Sequence, residues 1–238
     1  MTSTADTIHY VIGDIHGQDE QLCALLDAIQ SRHTWKHPEQ RGKLIYLGDY
    51  IDRGAGSKAV IERVMRGVEG FDSIYLKGNH EALILDCLET EERPAWGTWM
   101  AVGGRPTLKS FGYDLAHERY NSERLSEVLG DTILQWLQSL QIYYRHADFL
   151  CVHAGLIPNV LLEHQNEKDL LWVRRKFLDS DFDFGFGVIH GHTSSQRPVV
   201  KRNRIGIDTG AGKEGELTAL IVDRAWADLV KSPTFISV

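Results

Sequence analysis

The most constraining feature of this chain is one pattern that recurs at the ends of five short apolar segments. In each segment, glycine and a side chain with an oxygen or nitrogen ligand atom follow the apolar run. The segments are Val11–Gly17, Leu44–Gly54, Ile74–Glu81, Leu150–Gly155 and Val188–Thr193. An apolar run that ends near glycine predicts a short buried strand. Polar groups packed there are costly unless they are paired or bound to metal, so the repetition predicts one shared site.

The first half of the chain alternates predicted strands with predicted helices. The strands are His9–Ile12, Leu44–Leu47 and Asp72–Leu76, and the helices are Gln18–Gln30, Ser57–Arg66 and His80–Leu88. Ser57 is expected to cap its helix, and the polar residues 31–42 predict a surface loop. This alternation predicts a parallel sheet, in which ligands bind outside the carboxyl ends of the strands. The first three motifs are therefore expected on one rim.

The second half is richer in strands. These are Gln141–Arg145, Phe149–Val152, Gly187–Ile189, Val199–Lys201, Arg204–Ile207 and Leu217–Val222, with helices at Thr132–Leu140 and Glu167–Phe177. Residues 89–122 are less regular, and Trp96 and Trp99 within them are expected to serve packing. Two sheets packed face to face, with helices outside, would bury both halves in an α/β fold. No linker or repeat interrupts the chain, which predicts a single domain over residues 1–238.

The composition argues against several classes of function. Hydrophobic residues make up 42% and charged residues 25% of the 238, as in soluble globular proteins. The 26 basic and 33 acidic residues give a net charge of −7, which argues against nucleic-acid binding by phosphate neutralisation. Three separate cysteines without a CxxC pair favour a reducing compartment. The polar start Met1–Thr7, and the lack of an apolar run of about 20 residues, predict a cytoplasmic protein with no membrane partner.

The polar side chains of the motifs are of types that bind intermediate metal ions. They are Asp14, His16, Asp49, Asn79, His153 and His192. Carboxylate, carboxamide and imidazole without thiolate suit Mn, Fe or Zn. Six candidates are too many for one ion with an open position, but they fit two ions that share a carboxylate, about 3.5–4 Å apart. Such a pair of ions activates a water molecule and binds a phosphoryl group, which predicts phosphoester hydrolysis.

Three further residues supply what that reaction needs. His80 follows Asn79 and can protonate a leaving alkoxide, while Asp52 can hold the imidazole in place. Arg53 lies in the same loop and offers a bidentate fork to phosphate oxygens. The alternatives are that His80 is a histidine without a partner at a helix N-terminus and that Arg53 forms a surface ion pair with Asp52.

Taken together, the motifs resemble those of the phosphoprotein phosphatase family of metallophosphoesterases. The segments that carry the resemblance are Gly13–Gly17, Gly48–Gly54, Gly78–Glu81, His153–Gly155 and Gly191–Thr193, in the family's order. The bacterial and phage-type serine/threonine protein phosphatases are the most similar branch. Trp99 with Gly103-Gly104, Leu171–Arg174 and Ile207–Ala211 also resemble that branch.

The resemblance implies a calcineurin-like fold, a four-layer α/β/β/α sandwich of two mixed sheets. It implies two divalent metal ions, with manganese expected first and iron or zinc as alternatives. It also implies that Asp14, His16 and the bridging Asp49 bind one ion, and that Asp49, Asn79, His153 and His192 bind the other. Asp52 and His80 would form the proton-donor pair, and Arg53 and Arg174 would bind phosphate. His190 is expected to be a strand residue.

The expected substrate is a phosphoserine or phosphothreonine protein, because Asp52 and Glu81 match the protein phosphatases. The alternatives are a symmetrical diadenosine tetraphosphate hydrolase and a phosphoesterase with broad specificity for small molecules. Lys77 departs from the family, which usually carries arginine there, and lysine keeps the charge without the planar fork. The sequence predicts no oligomeric state.

Overall fold

The computed structural model of the chain describes residues 7–90, 93–117 and 120–238. Most of the polar segment Met1–Thr7, used above to predict localisation, therefore lies outside the described residues. Across the described ranges, no helix has both the length and the apolar character that crossing a membrane requires.

Ten strands and ten α-helices form the described part of the chain. The strands are β1 Thr7–Ile12, β2 Arg41–Tyr46, β3 Phe71–Tyr75, β4 Tyr143–His146, β5 Phe149–Val152, β6 Gly187–His190, β7 Val199–Lys201, β8 Arg204–Gly206, β9 Thr218–Val222 and β10 Thr234–Ser237. The helices are α1 Asp19–Lys36, α2 Ser57–Arg66, α3 Asn79–Glu89, α4 Arg93–Val102, α5 Gly104–Ser110, α6 Ser122–Leu129, α7 Asp131–Ser139, α8 Glu167–Trp172, α9 Arg175–Leu178 and α10 Trp226–Leu229.

The strands form two mixed sheets of five strands each. The first has the order β10-β9-β1-β2-β3, and the second has the order β4-β5-β6-β8-β7. Strands β1, β2 and β3 are parallel, which confirms the βαβ prediction for the first half of the chain. Strand β9 comes from the second half but pairs antiparallel with β1, so the two sheets do not coincide with the two halves of the sequence.

Alternation of side chains along each strand separates the layers. In β1, Tyr10 and Ile12 pack with the helices outside, whereas Val11 faces the core between the sheets. Ile189 and Ile205 of the second sheet join that central core, and Phe177 of α9 packs on its outer face. Burial of one such aliphatic side chain contributes about 1.5–3 kcal/mol. The resulting order of layers is the predicted α/β/β/α sandwich.

Several predicted boundaries were wrong, each for a tertiary reason. Helix α1 continues to Lys36 through the predicted loop 31–42, since His33 is buried and its Nδ1 lies 3.1 Å from the Tyr10 hydroxyl. Ser57 does not cap α2; Gly56 occupies that position, and the Ser57 hydroxyl instead accepts a hydrogen bond from the Asp52 N–H at 3.1 Å.

Two other stretches also differ from the prediction. The segment 89–122, predicted to be irregular, contains helices α4 and α5. The single helix expected over Glu167–Phe177 is divided into α8 and α9, because Val173 and Arg174 leave helical geometry between them. The Arg174 side chain in this break is exposed, and its charge acts on His192, which follows β6.

Candidate metal centre

The predicted site lies where the carboxyl ends of parallel strands from both sheets meet. Asp14 follows β1, Asp49 follows β2, and Asn79 begins α3 directly after β3. His153 and His192 follow β5 and β6 of the second sheet. The two rims are in contact, since the His192 N–H donates to Asp14 Oδ2 at 2.9 Å and His153 Nδ1 lies 3.0 Å from the Leu47 carbonyl oxygen.

Asp49 lies between two groups of ligand atoms and directs one carboxylate oxygen to each. Its Oδ1 is 3.5 Å from His153 Nε2, and its Oδ2 is 3.4 Å from His16 Nε2. One group contains Asp49, His153 and His192, and the other contains His16, Asp49 and His80. Within each group the ligand atoms lie within 4.8 Å of one another. This is the arrangement that a carboxylate shared by two cations requires.

Asn79 joins the group on the second-sheet side. Its Oδ1 lies 2.8 Å from His153 Nε2 and 2.8 Å from His192 Nδ1. Asp14 lies at the junction of the sheets but is not a member of either compact group. His80, expected as a proton donor rather than a ligand, takes its place beside His16 and Asp49.

One buried atom at the junction of the sheets supports the presence of cations. Asp14 Oδ1 is among the buried atoms of the described residues that have no hydrogen-bond partner. Burial, followed by the charges of Asp208 and Asp49, raises the pKa of Asp14 well above its usual range. A buried carboxylate without compensation is strongly unfavourable. Because the Asp49 carboxylate, the Asn79 amide oxygen and imidazole nitrogens converge in the two groups of ligand atoms, the residues fit a pair of divalent ions.

The histidines are held in the form that binds metal. Burial lowers the pKa of His16 to about 3 and that of His192 to about 2, and it also lowers the pKa of His153. His16 Nδ1 lies 3.0 Å from the Ile51 carbonyl oxygen, and His153 Nδ1 makes the corresponding contact with Leu47. When Nδ1–H donates to a carbonyl, the Nε2 lone pair is left to face a cation.

Strained backbone is concentrated at the site. The non-glycine residues His16, Asp49, Asp52, Arg53 and His192 have φ angles of 50°, 53°, 76°, 66° and 63°. Left-handed conformations of such residues cost about 1–3 kcal/mol each and persist only where neighbouring contacts fix them. The loop after β2 therefore needs external support.

Glu81 supplies part of that support. Its fully buried carboxylate accepts backbone N–H hydrogen bonds from Asp49 at 2.8 Å, Tyr50 at 2.9 Å and Gly78 at 2.9 Å. Glu81 thus joins the loop that carries Asp49 to the loop that carries Asn79. From the sequence alone, Glu81 indicated only a class of substrate, although a glutamate in the first turn of a helix can accept a hydrogen bond from the N–H that precedes the helix.

Asp52 and His80 form a close buried pair. His80 Nδ1 lies 2.5 Å from Asp52 Oδ2, and His80 Nε2 lies 3.8 Å from Asp49 Oδ2. Burial alone would lower the pKa of His80, but the Asp49 charge and the Asp52 hydrogen bond outweigh it and raise the pKa. Arg53 Nη2 lies 3.2 Å from His80 Nε2. His80 is therefore not a histidine without a partner, and Arg53 turns toward the site.

The other expected cations lie at the edge of the site. Arg174 is exposed, and its charge is one of the smaller causes that lower the pKa of His192. Lys77 Nζ forms an ion pair with Glu167 Oε1 at 2.9 Å. His190 lies in β6, as predicted. The Trp172 ring meets the His192 ring edge to face at 6.0 Å, a contact for which the sequence carries no local signal.

Fold, rim and ligand chemistry together define a metallophosphoesterase. The chain belongs to the calcineurin-like phosphoesterase family, whose model matches residues 10–214. The family and the two groups of ligand atoms indicate a dinuclear metal centre, and they identify the protein as a phosphoester hydrolase.

Relatives of this chain act on two kinds of substrate, according to their names. Serine/threonine-protein phosphatase 2 of Escherichia coli is 29% identical over 222 residues, which cover 88% of this chain and 90% of that protein. An asymmetrical bis(5'-nucleosyl)-tetraphosphatase of Oceanobacillus iheyensis is 25% identical over 231 residues, which cover 88% of this chain and 86% of that protein. A crystal structure provisionally described as a diadenosine tetraphosphatase superposes with a TM-score of 0.68 at 20% identity, over 100% of this chain and 95% of its own.

Proposed function

We propose that the protein is a serine/threonine protein phosphatase with two divalent metal ions, manganese first among the candidates. The observation that carries the proposal is the division of the Asp49 carboxylate, with Oδ1 3.5 Å from His153 and Oδ2 3.4 Å from His16. In this assignment Asp14, His16 and Asp49 hold one ion, and Asp49, Asn79, His153 and His192 hold the other. Oxygen and imidazole donors without thiolate favour Mn over softer ions.

The metal ions, when bound, supply Lewis acidity toward the phosphoryl group and a nucleophile at neutral pH. The side chains supply the proton for the leaving group and bind the phosphate oxygens. His80 carries the proton for the leaving oxygen at Nε2, because Nδ1 is engaged by Asp52 at 2.5 Å. Arg53 Nη2 donates to that Nε2 at 3.2 Å here, so it must turn to the phosphate before Nε2 is protonated. Arg53 binds the phosphate oxygens next to His80, and Arg174, in the break between α8 and α9, is the second phosphate-binding arginine. Asp52 keeps the imidazole oriented and favours its charged form.

Two residues support a phosphoprotein substrate. Asp52 is fully buried against His80, and Glu81 completes the third motif, as in the protein phosphatases that the sequence resembles. The similarity to the E. coli phosphatase over 88% of this chain is consistent with that assignment. The alternative, hydrolysis of a dinucleoside tetraphosphate, is favoured by the similarity to the O. iheyensis enzyme. Activity on a broad range of small phosphoesters is a third candidate.

A comparison of kcat/KM between two kinds of substrate tests the substrate class. The protein is stripped with chelator and reloaded with Mn²⁺, and kcat/KM is measured for phosphoserine and phosphothreonine peptides and for diadenosine tetraphosphate. We expect the phosphopeptides to be the better substrates. Higher kcat/KM for the dinucleotide would overturn the assignment as a protein phosphatase while leaving the hydrolase class intact. The single domain over residues 1–238, the bacterial source and the cytoplasmic location stay predictions of the sequence.

A further inference from the structure

The Asp52 carboxylate receives hydrogen bonds from helices that supply none of the candidate metal ligands. Trp99 of α4 donates its indole N–H to Asp52, with Nε1 at 2.9 Å from Oδ2 and 3.1 Å from Oδ1. Thr107 of α5 donates its hydroxyl to Oδ1 at 2.5 Å. His80 Nδ1 also contacts Oδ2, so both oxygens of Asp52 have partners. Trp99, Thr107 and His80 together fix the orientation of the carboxylate.

The donor and the acceptor in each hydrogen bond of this network follow from the number of protons that each group carries. An ionised carboxylate only accepts, so the single Thr107 hydroxyl proton is used on Asp52. The Thr107 oxygen then accepts from the Asp52 backbone N–H at 2.9 Å and from the Ser57 hydroxyl at 2.9 Å. Thr107 thus holds both the backbone and the side chain of Asp52. A threonine or serine can fill this role, whereas valine cannot.

The same helices also hold the strained backbone around Asp52. The N–H of Arg53 donates to the Gly103 carbonyl oxygen at 3.0 Å, at the junction of α4 and α5. A Cβ at Gly104 would lie 2.8 Å from Trp99 Nε1, so glycine there lets the helix turn approach the indole ring. The contacts explain how Asp52 and Arg53 keep left-handed φ angles of 76° and 66°.

We propose that Trp99 and Thr107 are positioning residues for proton transfer by His80, acting through Asp52. This inference rests on the acid role given to His80 under the proposed function. Without the two donors, the Asp52 carboxylate would be free to rotate away from His80 Nδ1. The imidazole ring would then no longer be held with Nε2 toward the leaving oxygen. The metal ligands would keep their places, because Trp99 and Thr107 hydrogen-bond to none of them in the contacts described above.

The leaving group provides the test, because protonation matters most when the leaving group is poor. Rates at saturating Mn²⁺ are compared for 4-nitrophenyl phosphate, a good leaving group, and phenyl phosphate, a poor one. For Trp99→Phe and Thr107→Val we expect about a tenfold loss of kcat on phenyl phosphate and less than about a threefold loss on 4-nitrophenyl phosphate. Thr107→Ser should restore the wild-type ratio of the two rates.

The chain offers a matched control for the tryptophan. Trp96 lies on the same helix, is equally buried and packs 5.9 Å from Trp99, but its Nε1 donates to the Thr90 carbonyl oxygen. Trp96→Phe therefore removes the same group and should leave the ratio of the two rates unchanged. Combining Trp99→Phe with His80→Asn should lower the phenyl phosphate rate no further than His80→Asn alone.

His80→Asn, measured in the same series, separates the two proposals. If it slows both substrates equally, the acid role of His80 fails and the inference fails with it. If it slows phenyl phosphate selectively while Trp99→Phe and Thr107→Val slow both substrates equally, the positioning role alone is refuted. Bound manganese, measured by elemental analysis, should stay at the wild-type value in all four variants of Trp96, Trp99 and Thr107.

Discussion

Buried histidines at the carboxyl rim and the buried His9 beside the half-buried His146 lie on different parts of this molecule, and among the described residues only those at the rim belong to a compact group of ligand atoms. At the carboxyl rim, burial lowers the pKa of His16 to about 3; near β4 and β5, burial lowers the pKa of His9 to about 3 as well. His9 packs against the rings of His146 at 4.5 Å and Phe149 at 5.4 Å, and its Nε2 is one of the buried atoms without a hydrogen-bond partner.

The difference lies in what surrounds each imidazole. His16 has the Asp49 carboxylate 3.4 Å from one ring nitrogen and a carbonyl oxygen 3.0 Å from the other. The next causes that lower the pKa of His9, after burial, are His146 and the cation Lys43. Burial with nearby positive charge therefore keeps His9 neutral, whereas a shared carboxylate together with an orienting carbonyl makes neutral histidines into candidate metal ligands.

The largest effect is expected from removing the shared carboxylate. Asp49→Asn takes a negative charge from both groups of ligand atoms at once, so both ions should be lost. Activity on any phosphoester should fall by more than about 10³-fold, and elemental analysis should find less than one ion per chain. Retention of two ions by this variant would contradict the bridging role.

His80→Asn should have the next largest effect and should spare the metal. General acid catalysis contributes about 10²–10⁴-fold, so kcat on phosphopeptides should fall within that range while bound metal stays constant. His9→Asn is the matched control, because it makes the same change in the other histidine group. A loss of metal in His80→Asn would mean that His80 is a metal ligand. Its position in the compact group with His16 and Asp49 is compatible with that role.

Glu81→Gln should have an intermediate effect on both stability and metal. Either orientation of the amide sets an NH₂ group against backbone N–H donors that the carboxylate now accepts. The free energy of unfolding should fall by about 1–3 kcal/mol, and the apparent Mn²⁺ affinity should fall by about tenfold. Glu123→Gln, at an exposed position on α6, should leave both quantities unchanged.

The prediction that leaves metal and activity unchanged concerns His9 and the dependence of stability on pH. The folded protein keeps His9 neutral down to about pH 3, whereas the unfolded chain binds that proton below about pH 6.5. Acid therefore favours the unfolded state, and this residue should lower stability by about 2 kcal/mol between pH 7 and pH 5. His9→Phe should remove this part of the loss in unfolding free energy, which is measured by urea unfolding at pH 7 and pH 5. An unchanged difference would mean that His9 is protonated in the folded state.

The sequence predicted the parts of the fold that local patterns determine. The βαβ order, the strands that end in the motifs and the meeting of those ends on one rim all follow from apolar runs and glycines. Strand β9 was also predicted, but its pairing with β1 was not, because partners separated by about two hundred residues leave no local signal. The end of α1 was missed because His33 is buried only through its contact with Tyr10.

The same limit applies to the candidate site. Side chains inside the motifs, such as Asp49 and His80, were identified because their chemistry and spacing repeat. Thr107 was not identified, and Trp99 was noted only because Trp99 with Gly103-Gly104 resembles one branch of the family. Neither received a role, since an indole or a hydroxyl indicates no specific contact until tertiary structure sets it beside a carboxylate. Trp99 was predicted to serve packing; it is fully buried as packing requires, and it also donates to Asp52.

The separation of strand ends from the α4–α5 turn has an evolutionary consequence. Every candidate metal ligand follows a strand of the sandwich or begins a helix directly after one, whereas Trp99, Gly103 and Thr107 belong to a helical stretch between α3 and α6. If Trp99 and Thr107 act as proposed, substitutions in that stretch can alter which phosphoesters are cleaved well without replacing any candidate metal ligand.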